Sequence, residues 1–345
     1  MIRRPLILSV TLLALAACSR APEESASAPA ARPVELVVYS ERREPLIQPI
    51  FERYTAETGI KVSWLTDAAP ALIERLAAEG ANTRADLFMA VDAGNLWQAA
   101  ERGVLAVIDS PALEAAIPAH LRDPDGRWFA LSLRARTLVY STERVRPEEL
   151  STYEDLADPK WRGRLCLRSS KKVYNQSLTA TLIERLGAER TEEILRGWVA
   201  NLAAPPFADD TLLIQAVAAG QCDVGIVNTY YFGRVQKDTP DVPVAVFWPN
   251  QGEGEAGVHV NISGAGVTAH SKNAAAAQAF LEWLASDAVQ EAFAKTNFEF
   301  PAKPGVAVDP LVAAWGGFRA DPVNVAVAGR RQAEAVQLMD RAGWR

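Results

Sequence analysis

From Val34 onward, short apolar runs alternate with stretches whose apolar positions recur every three or four residues. VELVVYS, residues 34–40, predicts a strand. EPLIQPIFERYTAETG, residues 44–59, predicts a helix with Leu46, Ile47, Ile50, Phe51 and Tyr54 on one face and Gly59 as its stop. The same unit repeats as strand 60–66 with helix 69–80, and as strand 85–91 with helix 93–103. Three strand–helix units in succession predict an α/β fold with a mostly parallel sheet and right-handed crossovers.

The pattern resumes later in the chain. Strands are predicted at 163–170 and 221–228, and helices at 175–187 and 209–220, the second opened by an aspartate and closed by Gly220. Between the two blocks, RWFALSLRARTLVYS at 127–141 is long enough to cross from one lobe to another. VHVNISGAGVTAH at 258–270 offers a second crossing before two further helices at 273–286 and 287–296. The order fits two lobes joined by two crossing strands. The first comprises 34–133 with about 258–305, and the second 134–257 with about 306–345.

The N-terminus carries a different signal. Arg3 and Arg4 precede the apolar run 5–17, too short for a resident membrane span but suited to a secretory signal peptide. Its end, LAAC, resembles a bacterial lipoprotein cleavage box, which makes Cys18 the lipidated first residue of the mature protein. Ordinary signal cleavage beside an incidental cysteine is the alternative. Residues 19–33, rich in Ala, Ser, Pro and Glu, read as a flexible tether reaching about 20 Å. These features place the protein outside the cytoplasm, anchored to a membrane. Loss of residues 1–17 removes two arginines and no acid, taking the net charge from −6 to −8. That charge argues against a nucleic-acid partner.

Candidate chemistry lies at the strand ends. Tyr230 and Tyr231 follow the strand at 221–228, and Tyr174 follows the strand at 163–170, so open-sheet geometry places all three beside one cleft. Phenolate oxygen suits a hard trivalent cation better than zinc or copper(I). Spacing alone also allows plain interfacial packing of the rings. Cys166 and Cys222 each lie eight residues before one of these tyrosines, and either a disulfide or two buried thiols fits. His120, His259 and His270 show no metal-ligand spacing. No nucleophile elbow, catalytic triad or paired catalytic carboxylate is evident, so the chain does not read as an enzyme.

VVYSERRE, DLADPKWRGRLCLRSSKKVYNQSL, AAGQCDVGIVNTYYFGR, VHVNISGAGVTAHSKN and NFEFPAKPGV run in order through residues 37–306. Together they resemble the ferric-iron-binding periplasmic proteins of ABC importers, with likeness from Val34 to Trp344. The resemblance implies a two-lobed class II binding-protein clamp with a ligand cleft between lobes. It also implies a monomer that delivers Fe3+ to a membrane permease and its ATPase. By position, Tyr174, Tyr230 and Tyr231 match the second-lobe phenolate ligands. Where many relatives carry His-Tyr in the first lobe, this chain has Arg43 and Glu44. Either Glu44 supplies a carboxylate, or Arg43 acts with an anion such as carbonate, for which Arg42, Arg134 and Arg136 are further candidates. Other readings keep the clamp but change its use, to another small anionic solute or to a sensory or accessory role.

Overall fold

The computed structural model describes residues 34–345. The signal peptide 1–17, Cys18 and the tether lie outside the described residues. Nine strands are found among the described residues. They are β1 (Glu35–Ser40), β2 (Lys61–Thr66), β3 (Leu87–Ala90), β4 (Phe129–Ser141) and β5 (Leu165–Cys166). They continue as β6 (Val224–Asn228), β7 (Val244–Phe247), β8 (Val260–Val267) and β9 (Phe300–Pro301).

The first three units form as their periodicity predicts. β1 pairs in parallel with β2 and β3, and the intervening helices are Glu44–Thr58 and Ala69–Glu79. The first helix buries Ile47, Ile50, Phe51 and Tyr54, and Gly59 ends it at φ 74°, a conformation that favours glycine. Leu46, expected on the same face, is only half-buried.

The expectation of a mostly parallel sheet holds only inside the blocks. β8 runs antiparallel to β3 and to β4, and β4 runs antiparallel to β6 and β7. The reversal has a simple cause: strands that carry the chain between lobes and back travel in opposite directions. The predicted strand at 163–170 shortens to the two residues of β5, paired in parallel with β6.

β4 is the axle. Its first half, through Ala135, pairs with β8, and its second half, from Arg136, pairs with β6 and β7. Phe129, Leu131 and Ala135 sit in one hydrophobic core, whereas Leu138 and Val139 sit in others. The Tyr153 hydroxyl locks this crossing, donating to the Arg136 carbonyl and accepting from the His259 N–H at 3.2 Å.

The C-terminal segment divides its packing rather than joining the second lobe from residue 306. Trp315 packs beside Phe232 in the second lobe. Phe318, Ala320, Val325, Ala326 and Ala328 pack against the first core, and the helix Gln332–Arg341 with Ala342 and Trp344 returns to the second lobe. Gly329 permits this return, because a Cβ there would lie 2.6 Å from the Trp97 ring. Cys166 and Cys222 form a disulfide, joining β5 to the segment that leads into β6.

Candidate metal-binding cleft

All three candidate tyrosines sit on the first turns of helices. Tyr174 belongs to the helix Val173–Leu186, and Tyr230 and Tyr231 belong to Thr229–Asp238. The second helix starts directly after β6, so the two adjacent tyrosines are presented by a helix rather than by a strand end. On a helix, residues i and i+1 lie about 100° apart, so neighbouring rings can share one side. Their ring centroids are 4.5 Å apart with 30° between planes.

The phenol oxygens converge. Tyr230 Oη donates to Tyr174 Oη at 3.1 Å, and Asn228 Nδ2 donates to Tyr230 Oη at 3.4 Å. Tyr231 Oη accepts from Arg168 Nη1 at 3.3 Å. All three rings line a cavity of about 230 Å³. Tyr174 and Tyr230 are buried and Tyr231 is half-buried. Burial raises the Tyr174 and Tyr230 hydroxyls above the usual phenol range, and neighbouring phenols push the same way. The helix N-termini supply positive ends that favour oxygen anions once a cation draws the protons off.

The wall is rich in cations. Lys172 Nζ lies 4.6 Å from the Tyr174 ring centroid, and the Arg234 guanidinium lies 5.2 Å from that of Tyr230. Arg134 faces the Tyr174 ring at 5.3 Å and pairs with Asp92 at 3.2 Å. From the first lobe come Glu41, Arg42 and Arg43. Glu41 Oε2 accepts from the Val91 N–H and Asn95 Nδ2 at 3.0 and 3.1 Å. Arg42 is buried against Phe293 and donates to Ser263 and Glu299, each at 3.0 Å. Arg42 Nη2 and Arg134 Nη1 find no protein acceptor among the described residues, which leaves N–H groups for an anion.

Two expected site residues do not reach the cavity. Glu44 is exposed at the first turn of the helix Glu44–Thr58 and lies off the cavity lining; the carboxylate beside it on that wall is Glu41. Arg136 is buried in the frame beneath the tyrosines, bonded to Asn175 Oδ1 at 3.0 Å and to Asp210 and Asn228 at 3.1 Å. It therefore fixes Asn175, which adjoins Tyr174, and Asn228, two residues before Tyr230, with its N–H groups already engaged. Arg43 and Arg134 do line the cavity.

Sequence reasoning missed Glu41, Arg168, Lys172 and Arg234. Arg234 was readable, since it stands four residues after Tyr230 and one turn along the same helix. Its Nε donates to Asn297 at 3.0 Å, and Gly233 lets the helix approach, because a Cβ there would lie 2.7 Å from Phe298. The tyrosine helix thus docks on the turn before β9. Among the described residues, no group of three or more His, Cys, Asp or Glu is arranged to hold a metal ion. The grouped oxygen donors on this cavity are the three phenols.

This two-lobed fold with a polar cleft defines a solute-binding protein. Residues 50–320 match the bacterial extracellular solute-binding protein family, and the chain belongs to it. Among its relatives is iron uptake protein A2 of Synechocystis sp., 47% identical over 290 residues that cover 82% of this chain and 84% of that protein. A Trichodesmium protein solved with iron and citrate ligands superposes with a TM-score of 0.86 at 44% identity, covering 90% of this chain and all of that one. The ferric iron-binding protein A of Mannheimia haemolytica, solved in an open conformation, gives a TM-score of 0.83 at 34% identity, covering 90% of this chain and 99% of that one.

Proposed function

We propose that this protein is the extracytoplasmic ferric-iron-binding component of an ABC importer, with Tyr174, Tyr230 and Tyr231 as the iron-ligating phenolates. The observation that carries the reading is the convergence of three phenol oxygens on one cavity, two of them 3.1 Å apart. Hard anionic oxygen is the donor that Fe3+ prefers. Relatives described as an iron uptake protein and ferric-binding proteins support the same cargo.

Three phenolates neutralise Fe3+, Arg42 is paired with Glu299 and Arg134 with Asp92, yet Arg43, Lys172 and Arg234 remain on the wall against the carboxylate of Glu41. The excess positive charge calls for an anion alongside the metal, such as carbonate, held by forked hydrogen bonds from Arg134 and Arg43. In this reading the first lobe contributes through Arg43 and the anion, and Glu44 stays off the metal. The protein captures and delivers its cargo without transforming it. The division into 34–133 with 258–305 and 134–257 with the final helix follows the separate cores. Cys18 carries the lipid that keeps the carrier near a permease and its ATPase, and the carrier acts as a monomer.

Adding ferric nitrilotriacetate to the apo-protein tests the cargo. The expected result is a visible phenolate-to-iron charge-transfer band that saturates at one iron per chain. A colourless protein sinks the proposal. The same cation-rich wall also favours a second reading, in which a small anion is the cargo itself. Thermal stabilisation by that anion without iron, together with no colour, would support it.

A further inference from the structure

We propose that Arg168 is a positioning residue for Tyr231: its guanidinium donates a hydrogen bond to the Tyr231 oxygen in the iron-loaded cleft, making this phenolate a weaker electron donor than the other two. The inference rests on the reading of the three tyrosines as iron ligands.

The three phenol oxygens are not equivalent. Tyr174 and Tyr230 bond to each other, and Tyr230 also meets the neutral amide of Asn228. Only Tyr231, among the three, has a side-chain cation bonded to its oxygen, with Arg168 Nη1 at 3.3 Å. The Arg168 guanidinium also lies 5.7 Å from the Tyr231 ring centroid and 5.6 Å from that of Tyr174.

Arg168 is built into place. It is only 8% exposed, and Nη1 also faces Asp210 Oδ1 at 3.4 Å. Its carbonyl accepts from Asn175 Nδ2 at 3.0 Å and from Trp344 Nε1 at 2.9 Å. Asn175 adjoins Tyr174, so the segment that carries the donor also carries a ligand. A cation fixed in this way keeps its direction when metal enters, and hydrogen bonds to charged groups are the strong ones. Phenolate oxygen retains lone-pair density after binding a metal, so it can accept this bond and coordinate together.

An N–H donor lowers the energy of the phenolate donor orbital and raises the energy of its charge transfer to Fe3+. It also reduces donation to the metal, which raises the Fe3+/Fe2+ potential. The experiment compares wild type with Arg168→Met and Arg168→Lys, loaded with ferric nitrilotriacetate, by visible spectrum, redox titration and chelator competition. Circular dichroism and melting of the apo-proteins report the fold separately.

Arg168→Met is expected to move the band to longer wavelength and lower the potential, while loss of the contact that holds the Tyr231 oxygen in place outweighs its stronger donation and weakens iron binding about 10- to 100-fold. Arg168→Lys is expected to restore part of the spectral shift. If the methionine variant does not fold, Arg168→Gln replaces it, with a smaller shift in the same direction expected. A folded variant with the wild-type band, potential and affinity overturns the inference while leaving the tyrosine ligands standing. A colourless wild type overturns both.

Discussion

Tyr230 Oη donates a hydrogen bond to Tyr174 Oη at 3.1 Å, although the two residues lie 56 positions apart and on different helices. On the proposed reading, the contact holds two of the iron ligands together before metal arrives. Burial keeps both phenols protonated well above the usual range. If both phenols ligate iron, its entry must release their protons. Between pH 8 and pH 6, loss of these two protons alone predicts that affinity falls about a hundredfold per pH unit. Chelator competition at several pH values checks this slope. A flat profile would exclude proton-releasing phenols. The apo-fold has its own pH limit: unfolded phenols ionise near pH 10 while these two stay neutral in the folded state, so stability falls as pH rises above 10.

Removing single ligand oxygens tests the set. Tyr174→Phe, Tyr230→Phe and Tyr231→Phe each leave the ring packing and take away one donor. Each is expected to weaken iron binding by about 100-fold or more, since even groups behind a metal ligand cost 10- to 100-fold. The charge-transfer band should also lose intensity in each variant. Unchanged affinity in any one removes that tyrosine from the ligand set.

The first-lobe wall separates two carboxylates. Glu44 lies outside the cavity lining and Glu41 lies on it. Glu44→Gln should leave iron affinity within about twofold, a change of under 0.5 kcal/mol. Isothermal titration or chelator competition decides it, and a large loss would make Glu44 a ligand after lobe movement.

Arg136 supports the site without lining it. It meets Asp210, Asn175 and Asn228 in the buried frame. Arg136→Met leaves Asp210 short of a buried partner and should cost about 3–5 kcal/mol of stability. Urea denaturation of the apo-protein measures the loss. Arg168 still faces Asp210 at 3.4 Å, so part of the charge stays compensated and the loss should fall toward the lower end.

The disulfide between Cys166 and Cys222 closes a loop with a sequence separation of 56. The chain-entropy model assigns such a loop about 4 kcal/mol. The Cys166→Ser, Cys222→Ser double variant should lose about that much in urea, while a well-packed site should still bind iron once folded. A variant as stable as wild type would place the constraint elsewhere.

The sequence by itself determined most of the local elements and named the candidate donors. Periodicity marked β1 to β3 and their helices, because each apolar face is written into neighbouring residues. The long run at 127–141 announced β4 as a crossing strand, and the family resemblance, where spacing alone left ring packing open, singled out Tyr174, Tyr230 and Tyr231. Tertiary structure decided which charges face them. Arg134 and Arg136 are two residues apart on β4, yet one lines the cavity and the other is buried beneath it. Alternation along a strand puts residues i and i+2 on the same side, but β4 exchanges its partners between these positions, from β8 to β6. Glu41, Lys172 and Arg168 joined the site through loops, where no period signals direction. Their roles depend on which distant segments the two lobes bring together, and local sequence pattern does not encode that.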